Sequence, residues 1–246
     1  MGKEVFVTLW KFITNAPYLK GMTRKTDANV ISIENPYGDY YIVKLKPSDG
    51  LMWNAGEHAF VRLPGIEELK KEYRLFSIAS IQKEEVLMIG TRTGEKKSKF
   101  KEAMLSMKPG DPVSIQGPYG WFRIRDDSSP IVMFAGGVGI TPIRALIKEL
   151  AESKSRPINI VYSSNDFYLF DDEIQEIVDR NPSMTLHKTK TREESSKKIE
   201  QLAREYGDKG YYYISASPKV IESVSKLLRS NKIAKKRIID DTFNGY

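Results

Sequence analysis

A glycine-rich turn in the second half of the chain has the residue types that bind phosphate. The segment Phe134–Pro142 reads FAGGVGITP, an apolar strand followed by three glycines, with Thr141 in the expected N-cap position and Pro142 in the first helical position. Glycines let the backbone approach a phosphate, and a helix N-terminus directs free N–H groups and a positive dipole end at it. The turn lacks the Gly-Lys-Ser/Thr ending of a P-loop and the third glycine of the usual dinucleotide fingerprint. The residues alone leave open a nucleotide pyrophosphate site and a plain tight turn.

A second candidate site lies in the first half of the chain, in the run Arg74-Leu75-Phe76-Ser77. On a strand, Arg74 and Phe76 point to the same face, which pairs a cation suited to phosphate with a flat ring suited to stacking. A flavin nucleotide requires both groups. An ordinary barrel strand with one surface arginine is the alternative that these residues leave open.

The chain has two histidines and no cysteine. His58 and His187 are far apart in sequence and have no obvious carboxylate partner, so we expect neither a metal site nor a Ser-His-Asp triad. Without cysteine there is no disulfide and no iron–sulfur cluster held by thiolates of this polypeptide. Any one-electron metal centre must therefore belong to a partner.

The elements that position the second candidate are short strands separated by turn signals, which predict a small antiparallel β-barrel of six strands. A short helix is predicted at Ser98–Met107, before the last strand. The predicted strands are Asn29–Glu34, Tyr40–Lys46, His58–Leu63, Arg74–Ser80, Val86–Thr93 and Val113–Gln116.

The elements around the glycine-rich turn alternate between apolar strands and amphipathic helices, which predicts a parallel sheet with crossover helices. We therefore predict two domains, 1–126 and 127–246, with an α/β domain of five parallel strands after the barrel. The predicted strands are Ile131–Ala135, Ile158–Ser163, Met184–Thr189, Tyr211–Ser215 and Arg237–Asp240, and the predicted helices are Pro142–Ser153, Asp171–Arg180, Ser195–Tyr206 and Pro218–Ser230.

The composition is that of a globular protein with a net charge of +7. Either a lysine-rich solvated surface or a basic docking face for an acidic partner explains this charge. No hydrophobic run approaches the about 20 residues of a membrane span, so we expect a cytoplasmic protein, with the apolar segment Val5–Ile13 packed as a helix. The tyrosines 211–213 lie in a predicted buried strand, so we expect no nucleic-acid partner.

The order of these motifs along the chain resembles that of the ferredoxin–NADP reductase family. The resemblance covers roughly residues 28 to 246, and it implies a barrel that binds FAD and an α/β domain that binds NAD(P)H, with the two ring systems meeting in the cleft. The segments that carry it are Arg74–Ser77, Gly117–Phe122, Ala135–Pro142, Tyr213–Pro218 and Phe243–Tyr246.

The resemblance assigns roles on the flavin side. It implies that Arg74 holds the FAD pyrophosphate, that Phe76 stacks on or flanks the isoalloxazine, and that Ser77 forms a hydrogen bond near flavin N5, with Leu75 in the same motif. The other residues that it implies for FAD are Arg92 or Ser98 at the diphosphate and Phe243 or Tyr246 over the second flavin face.

On the coenzyme side, the resemblance implies a pyrophosphate and ribose site at Gly136, Gly137, Gly139 and Thr141. Ser215 stands where many relatives have cysteine beside the nicotinamide, so Ser77 and Ser215 are the catalytic candidates. Ala216 replaces the usual glycine. Asp166 suits a ribose diol and favours NADH slightly, whereas Lys188, Lys190 and Arg192 could instead hold a 2′-phosphate.

The activity that the resemblance implies is hydride transfer from NAD(P)H to bound FAD. Electrons would then pass to a separate acceptor, such as an acidic ferredoxin- or flavodoxin-like carrier. Two alternatives remain open: an electron-transfer flavin subunit of a larger complex without independent turnover, docked through Val5–Ile13, and a nucleotide-binding module without flavin.

Overall fold

The first half of the chain forms an antiparallel sheet of six strands, as predicted. The computed structural model describes residues 16–48, 50–64, 73–94 and 96–241. The strands of this sheet are β1 (Lys25–Tyr37), β2 (Tyr40–Pro47), β3 (His58–Arg62), β4 (Tyr73–Ser77), β5 (Leu87–Arg92) and β6 (Pro112–Tyr119), in the order β4-β3-β6-β1-β2-β5. Just after β4, the backbone N–H of Ala79 donates to the carbonyl of Met88 in β5 at 2.7 Å. The two edges of the sheet therefore meet.

The interior of this sheet is filled by side chains that alternate along its strands. Val43 and Leu45 on β2 and Ile115 on β6 are each no more than 1% exposed. Helix α1 (Lys99–Ser106) packs on the same core through Phe100 and Met104. Side chains that alternate between the two faces of the strands therefore fill the barrel.

The second half of the chain forms a parallel sheet of five strands, also as predicted. Its strands are β7 (Ile131–Gly136), β8 (Ile158–Ser163), β9 (Met184–Thr189), β10 (Tyr211–Ser215) and β11 (Ile238–Asp240), in the order β11-β10-β7-β8-β9. The helices are α2 (Ile140–Glu149), α3 (Asp171–Arg180), α4 (Arg192–Tyr206) and α5 (Pro218–Ser230). One apolar core contains residues of α2 and α3, and a second contains residues of α4 and α5. The sheet is therefore the middle of three layers.

Helix α4 begins at Arg192, three residues before the predicted start at Ser195. A capping box explains the difference: the Thr191 hydroxyl accepts from the Glu194 N–H, and the Glu194 carboxylate accepts from the Thr191 N–H. Arg192 is thereby fixed in the first turn of a helix instead of in a loop.

A buried arginine joins the two domains. The Arg144 guanidinium on α2, 2% exposed, donates to the Ala79 carbonyl at 2.7 Å, to Glu84 at 2.7 Å and to Glu173 at 2.6 Å. Ala79 and Glu84 belong to the barrel, whereas Glu173 lies in α3. Lys148, one helical turn after Arg144, donates to Glu173 at 2.7 Å. We call these residues the Arg144 cluster, and it fixes α2 against the barrel.

Several predictions concern the ends of the chain and the domain boundary. The apolar segment Val5–Ile13 lies outside the described residues. Among the residues that the structure describes, no helix is long and apolar enough to cross a membrane. The boundary near Asp126 stays a prediction; this residue lies in the connection between β6 and β7.

Candidate functional site

The glycine-rich turn lies at the carboxyl end of β7 and leads into α2. The predicted helix start was wrong: Gly139 is the N-cap, Ile140 is the first helical residue, and Thr141 lies inside the first turn. A short 3-10 turn over Gly137–Gly139 continues directly into the helix, so no side-chain hydroxyl caps the first N–H groups of α2. The Thr141 hydroxyl instead donates to the carbonyl of Val138 at 2.8 Å and lies 3.2 Å from the carbonyl of Gly90 in the barrel.

Each of the three glycines in the turn has different surroundings, which decide whether a side chain would fit there. A Cβ on Gly139 would lie 2.1 Å from the carbonyl oxygen of Ser215, because α2 begins in contact with the end of β10. A Cβ on Gly136 would lie 2.8 Å from the Cβ of Ala216. Gly137 has φ +53°, and a Cβ there would meet nothing within 4 Å. The turn is therefore closed toward β10 and open toward the cleft, which leaves room for a phosphate beside the N-terminus of α2.

The open side of the turn faces a cleft of about 540 Å³ that both domains line. This volume is in the range of cofactor pockets, about 300–1,000 Å³. Gly136 and Gly137 lie on its wall together with Ser217, the N-cap of α5. Arg92 and Lys101 contribute from the barrel side. Arg192 and Lys219 line the cleft from the α/β domain, so four cations and two helix N-termini lie around it, and a dinucleotide phosphate requires such donors.

A second, smaller cavity of about 70 Å³ lies between the barrel and the glycine turn. It brings together seven of the residues that the sequence singled out from distant positions. These are Leu75, Phe76, Ser77, Arg92, Gly139, Thr141 and Ser215. Residues predicted for the flavin and for the nicotinamide therefore meet at one junction between the domains.

Arg74 and Phe76 lie on the same face of β4, as predicted, but both contact Phe100 of α1. The Arg74 guanidinium lies 5.3 Å from the Phe100 ring centroid, and the Phe76 and Phe100 rings are 6.3 Å apart. Phe76 is 7% exposed. Stacking of this ring on an isoalloxazine stays a prediction, since in the structure the ring packs in the barrel core.

The remaining residues predicted for FAD have varied positions. Ser98 is the N-cap of α1, and its hydroxyl accepts from the Lys101 N–H at 3.3 Å. Arg92 forms an ion pair with Asp39, in which the single Nε–H lies 2.8 and 2.9 Å from the two carboxylate oxygens. Phe243 and Tyr246 lie outside the described residues.

Asp166 has a different environment from the one that a ribose-binding role requires. Its carboxylate accepts from the Tyr40 hydroxyl at 2.9 Å and from Arg92 at 2.7 Å, both from the barrel. Although burial acts to raise the pKa of Asp166, these hydrogen bonds and a third from the Phe167 N–H lower it overall. The carboxylate is thus engaged across the domain interface while it lines the cleft, and the slight preference for NADH stays a prediction.

Asp241 is a residue that the sequence reasoning missed. It follows β11 and lines the small cavity. Its Oδ2 accepts from Ser77 at 3.2 Å and from Ser215 at 3.0 Å, and its Oδ1 lies 2.5 Å from Nε2 of His58. The expectation that His58 has no carboxylate partner was therefore wrong. Because the serines contact the carboxylate and not the imidazole, the arrangement is not a Ser-His-Asp triad.

Lys101 is the second residue that sequence reasoning missed. It lies in the first turn of α1, lines both cavities, and its Nζ donates to the Arg92 carbonyl at 2.5 Å. Burial, and then the proximity of Arg74, lowers the pKa of its amine. Among the described residues, no carboxylate lies within 4 Å of the charged nitrogens of Lys101 or Arg74. Two cations without a carboxylate in direct contact, near a helix N-terminus, fit a diphosphate.

Comparison with known proteins relates the chain to electron-transfer reductases. Residues 133–209 match the family model of the oxidoreductase NAD-binding domain. The chain is 25% identical over 203 residues to the toluate 1,2-dioxygenase electron transfer component of Pseudomonas putida, covering 78% of this chain and 59% of the relative. It is 31% identical over 159 residues to the reductase component of propane 2-monooxygenase of Mycolicibacterium smegmatis, covering 60% and 43%. The chain therefore spans about half the length of these relatives.

Solved structures share the two-domain fold. Ferredoxin-NADP+ reductase from Plasmodium falciparum superposes with a TM-score of 0.74 at 17% identity, covering 90% of this chain and 98% of that one. The Amycolatopsis cytochrome P450 reductase GcoB superposes with a TM-score of 0.75 at 20% identity, covering 89% and 70%. The predicted resemblance is confirmed: the relatives are ferredoxin reductase-like flavin oxidoreductases, and the predicted barrel and α/β domain are the two halves of that fold.

Proposed function

We propose that this chain is an NAD(P)H-dependent flavin oxidoreductase of the ferredoxin reductase type. Bound FAD would accept a hydride, two electrons with one proton, from NAD(P)H and supply electrons to a separate acceptor. The observation that carries the proposal is the small cavity between the domains, which is lined by Ser77 from the barrel and by Ser215 and Gly139 from the α/β domain. At such a junction the flavin ring, bound by the barrel, and the nicotinamide ring, bound by the α/β domain, would come into contact.

The barrel residues supply the phosphate side of the proposed FAD site. Arg74 and Lys101 provide two cations, and the N-terminus of α1 provides free N–H groups beside them. Arg92 is held by Asp39 and Asp166, so it would contact a phosphate only while keeping these ion pairs. The protein's contribution is to bind and orient the cofactor and to exclude water.

Replacing Lys101 with Gln is expected to weaken FAD binding about tenfold. The loss corresponds to a charge-assisted hydrogen bond worth about 1.5 kcal/mol. Fluorescence titration of the flavin-free protein with FAD measures the change in Kd. Lys99→Gln is the matched control, because Lys99 is an exposed lysine in the same helical turn. Equal Kd values for the Lys101→Gln and Lys99→Gln variants would remove Lys101 from the proposed site.

The α/β domain supplies the coenzyme side of the site. The N-terminus of α2 and the open face of Gly137 would receive the pyrophosphate. Arg192, in the first turn of α4, lines the larger cleft near Ser164 and donates to the Ser223 hydroxyl at 2.7 Å. This arginine has no carboxylate within 4 Å among the described residues, so we propose that it holds a 2′-phosphate and that the coenzyme is NADPH.

Replacing Arg192 with Ala is expected to raise the KM for NADPH about 10- to 30-fold while leaving the KM for NADH unchanged. The difference arises because only NADPH carries the 2′-phosphate that a charge-assisted hydrogen bond of about 1.5–2 kcal/mol would hold. Steady-state reduction of ferricyanide with each coenzyme measures it. Arg204→Ala is the control, since Arg204 lies on the same helix, where it pairs with Glu200. An equal effect on both coenzymes would contradict the assignment.

The cofactor assignment is tested by reconstitution. The purified chain, incubated with FAD and freed of excess by gel filtration, is expected to retain about one flavin per chain and to show a flavin spectrum. A parallel sample with FMN tests whether the adenylate half contributes. A chain that retains neither flavin would favour a nucleotide-binding module and would overturn the proposal.

The acceptor in this proposal is an acidic electron-carrier protein or an oxygenase component, as the names of the relatives suggest. The net charge of +7 favours an acidic partner. Electron transfer to such a carrier should slow as ionic strength rises, because salt screens the attraction. A rate independent of salt would exclude the basic docking face.

A cytoplasmic location, where NAD(P)H is supplied, is part of the proposal, and cell fractionation tests it.

An electron-transfer subunit without independent turnover is the second candidate, because the relatives are named as components of a dioxygenase and of a monooxygenase. Gel filtration of the chain alone and with cell extract distinguishes the two. A chain that reduces ferricyanide as a monomer supports the first candidate. Turnover that appears only in a larger complex supports the second.

A further inference from the structure

Asp241 joins side chains of both domains in one hydrogen-bonded group. His58 and Ser77 come from strands β3 and β4 of the barrel, and Ser215 comes from β10. Asp241 Oδ1 lies 2.5 Å from Nε2 of His58, whereas Oδ2 accepts from Ser77 at 3.2 Å and from Ser215 at 3.0 Å. We call these four residues the Asp241 cluster. It lies at the junction where the two predicted catalytic serines meet.

The chemistry of a carboxylate fixes the direction of these hydrogen bonds. An ionised carboxylate only accepts, so Nε2 of His58 carries the hydrogen, and each serine hydroxyl gives its single hydrogen to Oδ2. The hydroxyl oxygens of Ser77 and Ser215 can then only accept hydrogen bonds from a ligand. Ser77, Ser215 and Asp241 line the small cavity, whereas His58 lies behind them and is 1% exposed.

We propose that His58 is a positioning residue that fixes Asp241 as an acceptor and thereby makes both serines hydrogen-bond acceptors toward the cleft. The carboxylate Oδ1 faces the imidazole, which leaves Oδ2 for the two hydroxyls. Without the His58 donor, Oδ1 would lose its close partner and the carboxyl group would be free to turn away from the serines. His58 thus controls the polarity of the cavity without touching a ligand.

This polarity has a consequence for the cofactor, and that consequence rests on the proposed function. An acceptor beside a flavin ring nitrogen favours the ring form in which that nitrogen carries hydrogen, which is the reduced form. The oxidised ring presents a bare nitrogen and gains nothing from a lone pair. The His58–Asp241 pair should therefore make the bound flavin easier to reduce.

The test compares the midpoint potential of bound FAD in the wild type, His58→Leu and His58→Gln, measured by anaerobic dye-coupled titration. His58→Leu removes the donor and should shift the potential to more negative values. The Gln side chain retains an N–H and should recover most of the shift. His187→Gln is the control, since His187 pairs with Asn159 away from the cavity and its replacement should leave the potential unchanged. An unchanged potential in a folded, FAD-loaded His58→Leu protein overturns the inference.

A second measurement covers the case in which the Leu variant does not fold. Proton NMR of the flavin-free wild type should show a strongly downfield signal from the His58 Nε2–H, and Asp241→Asn should abolish or shift it. Absence of that signal overturns the inference. A chain that binds no flavin overturns the proposed function together with the inference. Flavin binding with an unshifted potential overturns the inference alone.

Discussion

We expect the Gly139→Ala substitution to lower the rate of flavin reduction by NAD(P)H about 100-fold. An added Cβ would lie 2.1 Å from the Ser215 carbonyl oxygen and 2.6 Å from its carbon, and both are backbone atoms that cannot rotate away. The start of α2 and the end of β10 must therefore separate. A misplacement of about 1 Å between reacting groups costs on the order of 100-fold in rate. Stopped-flow absorbance under anaerobic conditions measures this rate directly.

Gly110→Ala is the control for the backbone effect of adding a methyl group. Gly110 has φ +95°, and a Cβ there would meet nothing within 4 Å, so the variant carries conformational strain without a clash near the cavity. We expect it to lower stability and to leave the reduction rate within about twofold of the wild type. If Gly139→Ala reduced its flavin as fast as Gly110→Ala, the junction of α2 and β10 would not position the reacting rings.

We expect the Arg144→Ala substitution to lower the free energy of unfolding by about 3 kcal/mol, which is the second large effect. Removing one partner of a buried ion pair costs about 3–5 kcal/mol. In the variant, Lys148 still contacts both carboxylates, which offsets part of this loss. Glu84 and Glu173 are 18% and 32% exposed, which places the expectation at the lower end. Urea unfolding followed by circular dichroism gives the value. Lys148→Ala is the control, because this lysine contacts the same carboxylates but is 26% exposed, and we expect a loss below about 1 kcal/mol.

The same substitution changes the dependence of stability on pH. Burial acts to raise the pKa of Glu84 and of Glu173, but hydrogen bonds and charge from Arg144 lower both overall. Because the folded-state pKa values are depressed, this contribution to stability is present above the unfolded value of 4.5 and is lost as the pH falls through the folded values. We expect a smaller acid-side loss in Arg144→Ala. An identical pH profile in the wild type and the variant would contradict the assigned cluster.

The sequence predicted the fold because its signals are local. Most residues of β7, β8 and β10 are apolar or tyrosine, and β8 and β9 begin and end at the predicted residues. By contrast, β1 extends to Lys25 and Tyr37, beyond the predicted Asn29–Glu34. Three of its four added N-terminal residues are polar, and they are strand because they pair with β6. The local sequence pattern does not show which strand they pair with.

The site was predicted in part for the same reason. The family resemblance implied that Ser77 and Ser215 belong to one site, and in the structure both line the small cavity, each at the end of its strand. The pairing of His58 with Asp241 joins residues 183 positions apart, so no spacing rule could find it. One available signal was that Asp241 follows the last parallel strand, since ligands of open α/β sheets bind outside the carboxyl ends of the strands.

Asp166 shows how the second domain changes the surroundings of a residue that a motif singles out. Its position after β8 matched the place of a ribose-binding carboxylate, but contacts from Tyr40 and Arg92 of the other domain use its oxygens. A rule for a single domain cannot account for a group that the neighbouring domain engages.

The most direct test of the central claim is an anaerobic single-turnover experiment. The FAD-loaded chain is mixed with NADPH, and in a separate sample with NADH, and the flavin absorbance is followed in time. The account predicts bleaching of the flavin band by one equivalent of coenzyme, faster with NADPH than with NADH. A flavin that stays fully oxidised with both coenzymes, in a protein whose FAD site is filled, would contradict hydride transfer at the junction of the two domains.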